Sequence, residues 1–122
     1  LIGNLLKVKA PFEPSLLGQI AANAALKDQL FLEKSIKMNA RGIQYLENEF
    51  TKIGINFISS STNFITTIWP TERIASQINQ SLLKKGFIVR QLTAFGSPNY
   101  IRISIGLEEE NYKFIKTIKE VL

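Results

Sequence analysis

Residues 100–106 read Tyr-Ile-Arg-Ile-Ser-Ile-Gly, a strict alternation of aliphatic and polar side chains. Successive side chains of a strand point to opposite faces, so Ile101, Ile103 and Ile105 share one face and Tyr100, Arg102 and Ser104 the other. Such a run belongs in a sheet with one face covered and the other open. The run Gly86-Phe87-Ile88-Val89-Arg90 repeats the pattern, with Phe87 and Val89 on one side and Ile88 and Arg90 on the other. A cation fits poorly in a simple core strand. If the aliphatic faces pack on helices, both guanidinium groups project from the uncovered face. Two planar forks there can bind two anionic groups of one small molecule through paired charge-assisted hydrogen bonds. The competing reading is a strand-edge arginine with its stem on apolar surface and its head in water. The residues alone leave both readings open.

Around these runs the periodicity predicts a long helical region followed by β-β-α-β-β-α. Residues 1–9 carry a helix-like apolar stripe that stops at Ala10-Pro11. Pro11 and Pro14 hold an extended segment, and Ser15 is placed to cap a helix through the alanine-rich stretch 19–26. Helical spacing continues, with room for a break, through Leu30, Phe31, Ile36, Ile43, Leu46 and Phe50 to about Ile53, where Gly54 ends it. Strands are expected over 55–59 and 63–69, separated by Ser60-Ser61-Thr62, with Trp69 half-buried. Thr71 caps a helix to about Lys85. Strands over 87–92 and 100–105 then flank a loop at Gly96-Ser97-Pro98-Asn99, and a last helix starts near Glu108 with acidic residues at its positive end. The fold class is α+β, a two-layer α/β sandwich with a mostly antiparallel sheet covered by helices on one face.

The 122 residues fit a single folded domain with a real core. No cysteine or histidine is present, which removes thiolate catalysis, disulfides, the commonest general base and the commonest metal ligands. No metal site is expected. The net charge of +5 invites a nucleic-acid reading, but the lysines are spread along helix surfaces among acidic neighbours such as Glu33, Glu47, Glu49 and Glu108 to Glu110. Solvated helix faces explain that pattern better, so no nucleic-acid partner is expected. No apolar stretch has the length to span a bilayer and no signal-peptide pattern opens the chain. No membrane partner is expected, and a cytoplasmic setting fits the absence of cysteine. Beginning at Leu1 inside an amphipathic pattern, the chain reads as a piece of something longer. Its apolar N-terminal stretch implies a surface that needs a partner.

Several segments together resemble the histidinol-phosphate aminotransferases. Leu5-Leu6-Lys7-Val8-Lys9-Ala10-Pro11-Phe12 resembles the helix and Pro-Phe turn leaving that family's large domain, and Ala21-Ala22 through Asp28 its alanine-rich helix. Ser61-Thr62-Asn63-Phe64 is similar to its Ser-x-x-Asn-Phe segment, offset by one position. The run 86–90, then 92–106 and Glu110-Asn111, resembles its C-terminal signature. The chain departs from the family at Glu13-Pro14, where Asn-Val is common.

The resemblance implies the C-terminal small domain of a fold-type-I enzyme that uses pyridoxal phosphate, usually as a homodimer. Residues 1–14 would be the connecting helix and turn from the large domain, and 15–122 the small domain. The family's cofactor-binding residues lie upstream of the matching region, so no catalytic or cofactor-binding residue carries over. The chain's lysines lie outside the family's Ser-Lys setting. Two residues do carry over: Arg102 matches the arginine that grips the substrate α-carboxylate, and Arg90 the one associated with the substrate phosphate. Asn63 is a further pocket candidate, although an asparagine after a serine-rich turn often bonds its own backbone. The implied reaction converts histidinol phosphate and 2-oxoglutarate to imidazole acetol phosphate and glutamate, in histidine biosynthesis, with the isolated chain inactive. A threonine-phosphate decarboxylase, an aromatic aminotransferase, or a free-standing non-catalytic α+β binding module are the alternatives.

Overall fold

The computed structural model describes residues 1–9 and 12–122. The elements run α1 (Ile2–Val8), α2 (Leu16–Ala25), α3 (Gln29–Lys52), β1 (Asn56–Ile58), β2 (Phe64–Ile68), α4 (Glu72–Lys84), β3 (Arg90–Leu92), β4 (Ser97–Ser104) and α5 (Glu108–Val121). A 3-10 turn at Thr93–Phe95 joins β3 to β4. Their boundaries follow local chemistry. Ser15 Oγ accepts the Gly18 N–H at 3.1 Å, Asp28 Oδ1 the Phe31 N–H at 3.0 Å, and Thr71 Oγ1 the Ile74 N–H at 3.3 Å. Each side chain satisfies one of the amides that a helix start leaves without a partner. Asp28 thus supplies the break in the helical region. Gly54 and Gly86 close α3 and α4 at φ +74° and +88°, where a side chain would be strained.

Contacts group the chain into Leu1–Lys34 and Ser35–Leu122. In the first unit α1 and α2 bury no residue, and Leu5, Leu6, Leu17 and Ile20 are all exposed. The Lys9–Glu13 pair at 3.5 Å is a surface contact of little energetic weight. Ala10 and Pro11, half of the expected Pro-Phe turn, lie outside the described residues.

In the second unit all four strands are antiparallel, in the order β1-β2-β4-β3. Ile65, Ile101 and Ile103 from the sheet pack with Leu46 and Phe50 of α3, Ala75, Ile78 and Leu82 of α4, and Phe114, Ile115 and Ile118 of α5. Each fully buried aliphatic or aromatic side chain contributes about 1.5–3 kcal/mol. Phe114 meets Phe50 and Phe87 edge-on, at 6.4 and 5.5 Å between centroids. Three helices therefore cover one sheet face, the two-layer α+β arrangement that the sequence predicts.

Details differ from expectation. Of the α3 stripe, Leu46 and Phe50 are buried, whereas Leu30, Phe31 and Ile36 are exposed. β1 does not begin at Ile55, because that amide closes α3 on the Phe50 carbonyl at 2.9 Å. β3 begins at Arg90 rather than Phe87, whose N–H is taken by the Leu82 carbonyl at 2.9 Å. The segment 97–99 is not loop but the start of β4. Trp69 lies just past β2 and is buried, with its Nε1 donating to Thr67 Oγ1 at 3.0 Å.

Candidate functional site

Arg90 stands directly opposite Arg102 in the β3–β4 ladder, and Thr66 stands opposite Arg102 in the β2–β4 ladder. Directly opposed residues share a face, with Cβ atoms about 4.5–5.5 Å apart. Ile101 and Ile103, on either side of Arg102, are buried beneath the helices. Both guanidinium groups are therefore rooted side by side on the face away from the helices. Like charges in that register are destabilising on their own. Among the described residues no carboxylate pairs with either arginine.

Arg102 is half-buried and Arg90 exposed. The Arg102 guanidinium carbon lies 5.2 Å from the centroid of the Phe64 ring. Phe64 pairs with Ser104 one step along the same face, so its ring reaches Arg102 diagonally. Such a contact holds the cation against the ring's π-face. A planar guanidinium suits a bidentate anion. Sequence reasoning met Phe64 only as part of a motif. Its contact with Arg102 depends on the β2–β4 register, which a single strand pattern does not contain.

Asn63 is not brought together with the arginines. Its carbonyl accepts the Ile105 N–H at 2.9 Å, which extends the β2–β4 ladder. Its register partner Ile105 alternates with Ser104 and packs against the core, so this position belongs to the face opposite Arg102. The preceding turn is held by hydroxyl groups. Ser60 Oγ accepts the Thr62 N–H at 3.0 Å, Ser59 Oγ donates to Glu47 Oε1 at 2.8 Å, and Asn39 Nδ2 donates to the Thr62 carbonyl at 2.9 Å. α3 thereby braces the approach to Phe64.

The far end of β4 is fixed as firmly. Asn111, buried at the start of α5, accepts the Gly106 N–H and donates to the Gly106 carbonyl, both at 3.0 Å. Glu110 Oε2 accepts the Leu107 N–H at 2.7 Å. Gly42 of α3 lies against Ile105 and Asn111 so closely that a Cβ would overlap the Ile105 Cγ2. On the α3 and α5 surfaces Glu49 bridges Lys119 at 2.8 Å and Lys52 at 2.7 Å. Its carboxyl is held below the usual range, first by the Lys119 hydrogen bond and then by Lys52. Glu120 is lowered likewise by Lys85.

Among the described residues no lysine lies on a strand; all sit in helices or their flanking turns. No group of three or more Asp or Glu among them could hold a metal ion. No helix among them is long and apolar enough to cross a membrane. The face that carries the arginines presents two guanidinium groups suited to bind and orient anions.

The family model for aminotransferase class I and II matches residues 1–118. A histidinol-phosphate aminotransferase of Pasteurella multocida is 42% identical over 116 residues, covering 95% of this chain and 31% of that protein. One from Campylobacter hominis is 41% identical over 122 residues, all of this chain and 33% of its own length. The solved histidinol-phosphate aminotransferase of Clostridium acetobutylicum superposes with a TM-score of 0.77 at 26% identity, covering 98% of this chain and 36% of that one. The chain thus spans about a third of the length of the relatives it matches. With the family model matched over nearly its whole length, the chain belongs to the aminotransferase class I and II family.

Proposed function

We propose that this chain is the small domain of a pyridoxal-phosphate aminotransferase acting on histidinol phosphate, with residues 1–14 the connection to the large domain and 15–122 the domain itself. The helix cap at Ser15 suits that boundary, although the compact unit begins later, at Ser35. The observation that carries the reading is the register of Arg90 against Arg102 on the open face. Arg102, backed by Phe64, grips the α-carboxylate of glutamate or 2-oxoglutarate in bidentate fashion. Arg90 takes the phosphate of histidinol phosphate. Asn63 is left out of this reading.

This chain's own residues do not fit the cofactor. We assign the amine that holds pyridoxal phosphate to another part of the enzyme; no described lysine lies on the strands beside the arginines. When bound, the cofactor supplies the electron sink for amino transfer. This domain supplies anion recognition and alignment of the substrate, which is where oriented binding lowers a barrier. The exposed apolar side chains of 1–34 are the surface that the large domain or the second subunit of a homodimer would cover. The setting proposed is cytoplasmic, in histidine biosynthesis.

The test is an amino-transfer assay on the full-length enzyme carrying this chain, with 2-oxoglutarate as acceptor. Histidinol phosphate should be the preferred donor over phenylalanine, and no carbon dioxide should be released from threonine phosphate. Preference for phenylalanine, or decarboxylation, would transfer the assignment to a sister enzyme.

A further inference from the structure

β3 is an edge strand of three residues and carries Arg90 at its first position. So short an edge has few ladder bonds, and its register needs support from elsewhere. The ladder runs regularly through Arg90↔Arg102 and Gln91↔Ile101, then jumps, so that Leu92 pairs with Ser97. Pro98, Asn99 and Tyr100 of β4 consequently have no β3 residue opposite them. Asn99 turns to the other side, its carbonyl accepting the Trp69 N–H at 2.9 Å. Backbone groups alternate in direction along a strand, so the Pro98 carbonyl faces the gap.

The Gln91 side chain fills that gap. Its Nε2 donates to the Pro98 carbonyl at 2.6 Å and to Ser76 Oγ of α4 at 3.0 Å. The Ser76 hydroxyl lies 3.2 Å from Gln91 Oε1, to which it can donate. The amide therefore stands in for the absent ladder bond and ties β3 to a helix of the covered layer. All three residues are half-buried, so water competes weakly for these bonds. Gln91 alternates with Arg90, so it anchors the strand from beneath while Arg90 projects from the open side.

We propose that Gln91, with Ser76, is a positioning residue that holds Arg90 in register with Arg102 and thereby sets discrimination for the phosphate group of the substrate. This rests on the reading of Arg90 as the phosphate contact. Loss of the amide leaves the Pro98 carbonyl without its donor and lets the strand slide or fray at the one residue that meets phosphate. Arg102 sits on the longer β4 between two neighbours and keeps its place.

The full-length enzyme carrying Gln91→Leu is compared with the parent on histidinol phosphate and on histidinol, which differs only by the phosphate. The ratio of the two kcat/KM values should fall about three- to tenfold, the range spanned by one net hydrogen bond. Gln91→Glu, which keeps an acceptor for Ser76 but cannot donate to Pro98, should fall equally. Ser76→Ala, which leaves the Pro98 bond intact, should fall less. A purely structural role would lower both substrates together and leave the ratio unchanged, which overturns the proposal. Arg90→Gln separates the two layers of argument. If it lowers the ratio while Gln91→Leu does not, the positioning role fails alone. If Arg90→Gln leaves the ratio unchanged, the phosphate reading has failed and the proposal with it. Amide exchange at Arg90–Leu92, followed by mass spectrometry, should quicken in Gln91→Leu; unchanged exchange there also counts against it.

Discussion

Gly42→Ala sets two effects against each other, and the structure decides the sign. Within a helix, alanine is better than glycine by about 1 kcal/mol, so propensity alone predicts stabilisation of α3. A Cβ at position 42, however, would overlap the Ile105 Cγ2 and come within 3.0 Å of the Asn111 Nδ2. Neither neighbour yields easily. Ile105 is β-branched and restricted at χ1, and Asn111 is pinned by its paired bonds to Gly106. Overpacking costs about 1–3 kcal/mol, and pulling Asn111 away from a half-buried amide costs about 1–3 kcal/mol more. After subtracting the propensity gain, a net loss of about 3 kcal/mol is expected. For a unit of this size that lowers the melting temperature by roughly 12–24 °C. The assay is thermal unfolding by circular dichroism beside Gly18→Ala, whose new methyl would meet nothing nearer than Ser15 Oγ at 3.4 Å. That control should hold or gain stability. A Gly42→Ala protein that melts at or above the parent temperature would refute the close approach of α3 to the end of β4.

Phe64→Leu keeps the apolar volume but removes the ring behind Arg102, a contact worth about 0.5–2 kcal/mol; the full-length enzyme should show a several-fold higher KM for 2-oxoglutarate with its melting temperature little changed. An unchanged KM would mean that the ring does not orient the guanidinium. The lowered carboxyls of Glu49 and Glu120 are more acidic folded than unfolded. Their stabilisation is present above the unfolded value near 4.3 and is lost as pH falls through the folded values. Lys119→Gln removes the largest cause of the Glu49 shift, so its unfolding midpoint should depend less on pH below about 5, as a denaturant series at several pH values would reveal. The 122-residue chain alone should show no transamination with added pyridoxal phosphate; turnover that copurifies with the chain and survives a contamination control would contradict the division of labour proposed.

Much of the architecture was legible because the sequence marks its own boundaries. Ser15, Thr71, Gly54 and Gly86 each act where their chemistry indicates. The alternation in 100–106 also put Arg102 on the uncovered face. What stayed hidden depends on pairing between distant segments. Gly96-Ser97-Pro98-Asn99 has turn composition, yet β4 begins at Ser97 because the β3 side is vacant where Pro98 lacks an N–H. β3 lost its first residues because Phe87 is engaged by the end of α4. Trp69 is buried because its indole finds Thr67 two residues earlier. Asn63 carried a motif but fell opposite Ile105 rather than beside Arg102. The Phe64 contact and the Gln91 clamp are properties of register, which no single stretch encodes.

The central claim is that Arg90 and Arg102 form one anion site. The most direct measurement is kcat/KM of the full-length enzyme for histidinol phosphate and for 2-oxoglutarate in Arg102→Lys and Arg90→Lys. Lysine keeps the charge but not the planar fork. Arg102→Lys should lower the value for 2-oxoglutarate by at least about tenfold, the scale of one impaired charged contact, and Arg90→Lys should penalise histidinol phosphate more than 2-oxoglutarate. Parent-like values for both substrates in both variants would show that these arginines are solvated strand residues and that the substrate anions are held elsewhere.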